Sequence, residues 1–180
     1  AAQLDAALAR GAKLIVLDPR KSENAWRADI HLPLRYGTDT AMLLGFLRVI
    51  VEEELYDKEF VARYTYGFPQ LRERLQEYSL EKVAAITGCD AQQIAAAARL
   101  FATAGPSVIP WGPILDMQVN STSGIRCEDL LVSICGFVGK CEQLQSPEPA
   151  LVNVSQLELH EMLSQEQKEK QLGADRYPLL

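Results

Sequence analysis

The feature that most constrains this chain is the run Lys13-Leu14-Ile15-Val16-Leu17, closed by Asp18-Pro19. It is short, apolar and β-branched, with none of the alternation of a strand that has one face in water. Such a run reads as a strand buried on both faces, the pattern of a parallel sheet. A parallel strand needs a crossover, so helices must follow, and they do. Ahead of the run, Leu4, Ala7 and Leu8 form a short helical stripe that Gly11 stops. After a polar turn, Asp29 to Leu34 predicts a weaker strand, with Pro33 marking an edge or an end. Gly37-Thr38-Asp39 opens a long helix with Thr38 as N-cap and Asp39 in the first turn, where a carboxylate suits the dipole. Leu43, Leu44, Leu47, Ile50 and Val51 form its buried face.

Beyond it the pattern predicts helices over Lys58 to Tyr64, from Phe68 to about Tyr78, from Ser79 to Gly88, and one capped by Asp90 with Ile94, Ala97, Ala98 and Phe101 inward. Ser107 to Trp111 reads as another buried strand. A loop containing Asp116, Gln118 and Asn120 leads into a helix carrying Ile125, Leu130, Leu131 and Ile134 to Gly136. The pattern weakens after Gly139, where Ser146-Pro147-Glu148-Pro149 is a linker or arm and Leu157 to Lys170 holds a short surface helix. The expectation is an α/β fold, a Rossmann-like parallel sheet flanked by helices, over 1–140, followed by an extended C-terminal arm over 141–180.

The charge balance is 24 acidic against 18 basic residues, net −6, which disfavours nucleic acid as a partner. No apolar run reaches the ~20 residues that span a bilayer. The four cysteines, Cys89, Cys127, Cys135 and Cys141, show no C-x-x-C spacing, and neither His31 nor His160 completes a zinc pattern. Plain thiols in a reducing compartment follow, which favours the cytoplasm, with Cys127 and Cys135 packing as small apolar groups two turns apart. The chain opens at Ala1, without Met and inside a helical pattern, as a cut edge of a longer protein would, and an export signal would lie upstream.

Ligands of parallel sheets bind at the carboxyl ends of the strands. That points to three places. Asp18-Pro19-Arg20-Lys21-Ser22 offers an acid for ribose hydroxyls, two cations for phosphate and a short hydroxyl, although the same residues also make an ordinary capped turn. Asp39, after Gly37-Thr38, can accept two hydrogen bonds from a planar donor edge; guanine has one in N1–H and N2–H and adenine does not. An N-cap acid serving the helix dipole is the competing role. Trp111-Gly112-Pro113 and the loop to Asn120 supply an aromatic shelf and several amides, against simple core packing of Trp111. No nucleophile–base pair, Walker loop or G-x-G-x-x-G is present, so catalytic residues are not assigned.

Taken in order, Gly11 to Arg20, Ala28-Asp29, Leu32 to Arg35, Gly37-Thr38-Asp39, Leu55 to Phe60, Tyr64 to Phe68, Ala104-Gly105-Pro106, Trp111-Gly112, Gly136 to Lys140 and Lys170 to Asp175 resemble the molybdopterin oxidoreductases of the dimethyl sulfoxide reductase family. The resemblance implies a molybdenum or tungsten centre held by two molybdopterin guanine dinucleotides, in a larger enzyme that mostly also carries an iron–sulfur cluster. It implies that Asp18 to Ser22 and Gly37 to Asp39 hold one guanosine end, with Asp39 as guanine acceptor, and that Pro113 to Met117 face the pterin. The metal ligand, the cluster cysteines and the second dinucleotide site of such enzymes have no counterpart here. The implied partners are therefore the remaining domains of a parent enzyme and an iron–sulfur electron-transfer subunit, with self-association through surfaces those domains would cover. Where the family often has Gly-Met-Gly with Gln or Asn, this chain has Gly112-Pro113-Ile114-Leu115-Asp116-Met117. The following stretch to Asn120 is most similar to a hydratase-type branch that runs no net redox chemistry. Cys141-Glu142-Gln143 replaces the family's Pro-Gly-Gly. A stand-alone nucleotide-binding or interaction module is the further alternative.

Overall fold

A computed structural model of the chain describes residues 2–110, 115, 117–140 and 162–170. Two compact units separate at 144/145. In the first, α1 (Ala2–Ala9) leads to β1 (Ile15–Leu17), α2 (Glu23–Arg27), β2 (Ile30–Leu32), α3 (Asp39–Glu52), α4 (Lys58–Tyr64), α5 (Phe68–Leu75), α6 (Leu80–Thr87), α7 (Ala91–Thr103) and α8 (Ser121–Ile134). In the second, α9 (Gln165–Glu169) starts with a capping box: the Ser164 hydroxyl takes the Gln167 amide, and the Gln167 side chain takes the Ser164 amide.

The strands pair in parallel, Ile15 with Ile30, Val16 with His31 and Leu17 with Leu32. Their connection is close to the shortest a parallel crossover permits, and α2 provides the return where the sequence reading expected only a polar turn. Ser22 caps that helix through the Ala25 amide at 3.4 Å. Asp29 fixes the register at the other end. Its carboxylate accepts the Leu14 amide and the Lys13 ammonium, each at 2.9 Å, while its own amide donates to the Leu14 carbonyl at 2.9 Å. These bonds, the Leu14 amide first, hold the Asp29 carboxyl below its ordinary pKa.

The expected strand over Ser107 to Trp111 is not observed. Residues 107–110 are irregular, Val108 is 47% exposed, and the sheet has two strands among the described residues. Pro110 removes an amide that a ladder through this run would use. Trp111 itself lies outside the described residues. Helix α5 stops at Leu75 rather than near Tyr78.

The core is built around α3. Met42, Leu43, Leu47, Ile50 and Val51 are buried and Leu44 is half-buried. Helices α6, α7 and α8 pack against it. Gly45 permits the closest of these approaches, because a Cβ there would lie 2.9 Å from Val83 Cγ1. Ile94, Ala97, Ala98 and Phe101 face inward from α7 as their spacing predicts. The outer helices are tied on by polar bonds. Arg35 donates through Nη1 to the carbonyls of Ala85 (2.8 Å) and Ile86 (3.1 Å) and through its amide to Thr87 (2.9 Å), closing the C-terminus of α6 onto the chain leaving β2. Asp57 caps α4 through the Phe60 amide at 2.8 Å, and its own amide donates to the Ile134 carbonyl at 2.8 Å, joining α4 to the end of α8.

Candidate functional site

Parallel pairing sends both strands out at the same edge of the sheet, so the Asp18 turn and the Gly37 turn start from neighbouring strand ends. His31 holds the first of these in place: its Nε2 donates to the Asp18 carbonyl at 2.8 Å, a structural role that also fixes the ring tautomer. The Asp18 carboxylate folds back over its own turn and accepts the Arg20 amide at 2.8 Å and Arg20 Nε at 3.4 Å. The Arg20 amide, ahead of its guanidinium, keeps the Asp18 carboxyl below its ordinary pKa. It is therefore a charged acceptor with a capped-turn role, and its side chain is 21% exposed. The Arg20 side chain is 76% exposed. The Lys21 ammonium lies 3.6 Å from the centre of the Trp26 ring, which is itself largely exposed. Ser22 is committed to α2 as its cap, with Pro19 and Arg20 exposed beside it. Trp26 was not selected from the sequence. The available signal was its place four residues after Ser22, in a segment too short to show a period.

At the second strand end, Gly37 adopts φ +75°, a conformation that favours glycine, and nothing would touch a Cβ there within 4 Å. Thr38 is not the side-chain cap expected: its hydroxyl donates backwards to the Arg35 carbonyl at 2.7 Å, which tightens the turn and leaves the first amides of α3 free of it. Asp39 starts α3, half-buried. Its Oδ2 accepts the side-chain amide of Gln118 at 2.9 Å across 79 residues of sequence. That bond joins the second place read from the sequence to the third. Two buried polar atoms have no partner among the described residues: Oε1 of the same Gln118 side chain, and Oγ1 of Thr40, the residue after Asp39. Gly124 of α8 leaves room for the Thr40 hydroxyl, since a Cβ would lie 3.1 Å from it. Thr40 is the member of this group that periodicity concealed, reading as one more buried position of α3. Met117, next to Gln118, is 86% exposed, and Tyr36 is exposed beside Gly37. Trp111, Gly112 and Pro113 lie outside the described residues.

Chemically, this edge offers carboxylate and hydroxyl acceptors, exposed cations and an accessible aromatic face. No group of three or more His, Cys, Asp or Glu able to hold a metal occurs among the described residues. Cys89, Cys127 and Cys135 are buried thiols, and burial pushes Cys127 up to about 11 and Cys135 up to about 12. They are packing groups and not thiolates at neutral pH. Two surface cavities flank α5, lined in part by Arg48, Glu52 and Arg72 and by Tyr56 and Phe68, and they share no residue with this edge. No helix among the described residues is long and apolar enough to cross a membrane.

The family model described as "Molybdopterin oxidoreductase" matches residues 1–149. Over 178 residues the chain is 54% identical to the acetylene hydratase of Syntrophotalea acetylenica, covering 98% of this chain and 24% of that protein. It is 42% identical to formate dehydrogenase H of Escherichia coli over 130 residues, 72% of this chain and 18% of that one. Among solved structures, the acetylene hydratase from Pelobacter acetylenicus superposes with a TM-score of 0.78 at 53% identity, covering 99% of this chain and 25% of that one. The chain thus spans about a quarter of the length of these relatives.

Proposed function

Because the chain belongs to the molybdopterin oxidoreductase family, we propose that its strand-end edge holds the guanosine end of one molybdopterin guanine dinucleotide. In this reading Asp39 receives the guanine edge. Asp18 takes ribose hydroxyls where the Arg20 amide leaves its lone pairs free, and Arg20, Lys21 and Ser22 meet the phosphates. Gly37 and Thr38 shape the turn that presents Asp39, and the segment with Trp111, Gly112, Pro113 and Met117 faces the pterin. The observation that carries this reading is the Asp39–Gln118 bond: a half-buried carboxylate at the start of α3 already receives a planar amide N–H, the donor type a guanine edge presents. Gln118 Oε1, buried with no partner among the described residues, fits a site completed by a ligand with a further donor. When bound, the molybdenum or tungsten of such a cofactor supplies the Lewis-acid or electron-transfer chemistry. This chain supplies recognition and orientation, and the other domains of the complete enzyme supply the rest.

A second reading concerns the reaction. Identity of 54% over 98% of the chain to a hydratase, against 42% over 72% to a formate dehydrogenase, favours a hydratase-type parent that adds water with no electron acceptor. The test is metal and nucleotide analysis of the full-length protein. Molybdenum or tungsten with releasable guanine nucleotide is expected in the wild type, and loss of the nucleotide in Asp39→Asn. Equal guanine retention by the variant refutes the assignment of Asp39. Acetylene consumption with no added acceptor separates hydratase from redox parent.

A further inference from the structure

The bond that carries the guanine reading has a second consequence. Asp39 Oδ2 is occupied by the chain itself, through Gln118 Nε2 at 2.9 Å, and no hydrogen bond from another described side chain reaches Oδ1. A primary amide offers one N–H to one oxygen here, whereas the N1–H/N2–H edge of guanine offers one to each. The internal bond also buries the Gln118 carbonyl, Oε1, with no partner among the described residues. An arrangement that satisfies one end of an amide and strands the other is strong enough to form and weak enough to be displaced. Its two ends belong to separate elements: Asp39 is fixed at the first turn of α3, while Gln118 sits in the turn before α8, held by the Gln118 amide to the Leu115 carbonyl at 3.4 Å and the Ser121 amide to the Gln118 carbonyl at 3.1 Å. Both neighbours of Gln118, Met117 and Val119, are exposed, so packing of those side chains does not anchor this turn.

We propose that Gln118 is a latch that fills the guanine position of Asp39 until a guanine nucleotide displaces it. The proposal rests on the reading of Asp39 given above. Closed, the latch keeps a charged acceptor from standing empty and ties the 117–120 turn to α3. Opened, it frees the Gln118 amide to meet the incoming ligand and releases the 117–120 turn from α3. A ligand competing with an internal group binds with its dissociation constant divided by the fraction of open protein, so its affinity falls in proportion to that fraction. Removing the latch therefore tightens binding of guanine nucleotides and leaves adenine nucleotides, which lack the paired donors, unaffected.

The experiment uses the cofactor-free full-length protein, with GDP as probe and ADP as control, in calorimetric titrations of the wild type, Gln118→Ala, Gln118→Met and Asp39→Asn. Gain of about tenfold in GDP affinity is expected for both Gln118 variants, no change for ADP, and loss of the GDP preference in Asp39→Asn. Gln118→Met keeps the side-chain length without the donor and stands in if the alanine variant fails to fold. Hydrogen exchange of residues 117–121 in the wild type needs no variant: GDP should speed it. If the wild type shows no GDP preference for Asp39→Asn to remove, the guanine reading and the latch fall together. With that preference intact, unchanged or weaker GDP binding in the Gln118 variants, or slower exchange on adding GDP, overturns the latch alone and makes Gln118 a direct ligand contact or a structural tie.

Discussion

Gly45 lies in the interior of α3, and a methyl placed on it would stand 2.9 Å from Val83 Cγ1, 3.4 Å from Val83 Cγ2 and 3.5 Å from Ile94 Cγ2. Two effects oppose each other in Gly45→Ala. Alanine is the better helix former by about 1 kcal/mol. Overfilling a packed core costs about 1–3 kcal/mol. Val83 is fully buried on α6, and its β-branched side chain has essentially one rotamer in a helix, so it cannot swing aside. The helices must separate by a few tenths of an ångström, and a net loss of about 1 kcal/mol is expected. Val83→Ala alone deletes two buried carbons and leaves a void, at about 2–3 kcal/mol. Combined, the substitutions relieve each other: the atoms that clash are gone, and the new methyl fills part of the void. The double variant should therefore be about 1–2 kcal/mol more stable than the sum of the single losses predicts. Urea unfolding of the four proteins at matched slopes measures this coupling directly. Additivity within about 0.5 kcal/mol would refute the argument that Gly45 exists to let α3 meet α6.

Gly136 adopts φ +68°, and a Cβ there would meet Asp57 Oδ2 at 2.5 Å, so Gly136→Ala should cost about 2 kcal/mol or more through backbone strain and the disturbed α4 cap; an unchanged melting temperature would exclude that contact. Arg35→Lys keeps the charge but loses the planar donor that spans Ala85 and Ile86, and should lower stability by about 1 kcal/mol in thermal unfolding. The raised Cys127 and Cys135 thiols hold their protons more tightly folded than unfolded, so stability is complete below pH ~9 and falls above it. The slope is about 1.4 kcal/mol per pH unit and thiol until the folded values of about 11 and about 12 are reached. Replacing both by alanine should flatten that alkaline limb in a pH series of urea unfolding. The lowered Asp29 carboxyl works at the other end: its contribution is present above the ordinary carboxylate pKa and is lost as pH falls through the folded value, below about pH 4. Asp29→Asn should remove that part of the acid limb.

Periodicity carried most of the fold. The face of α3 from Leu43 to Val51 and the inward stripe of α7 are places where burial alone selects residue type, so their spacing reports structure directly. The same holds for Lys58–Tyr64, whose Asp57 cap and boundaries are local properties of the chain. Ser107 to Trp111 misled because apolar, β-branched residues state a preference for extended backbone and guarantee neither burial, since Val108 is exposed, nor a strand beside them to pair with. The α2 helix escaped notice because five residues leave no period to read. At the site, residue types could be chosen from turn chemistry, but their partners could not. Asp18 turns back to its own Arg20 amide, and Thr38 points away from the helix it precedes.

By itself, then, the sequence determined which of the longer segments become helices, where the first parallel strand lies (though Ile15, Val16 and Leu17 are half-buried and not enclosed on both faces) and where strand ends place acids, because these follow from short-range sterics and from the periodic separation of apolar from polar groups. Its ordered motifs also carried the family. Tertiary structure alone decided that Gln118 reaches Asp39, that the Thr40 hydroxyl is buried without a partner among the described residues, and that Gly45 and Gly136 are places where another element comes too close for a side chain. Each of these depends on a distance between residues far apart in the chain, and such distances are set only when the whole core packs.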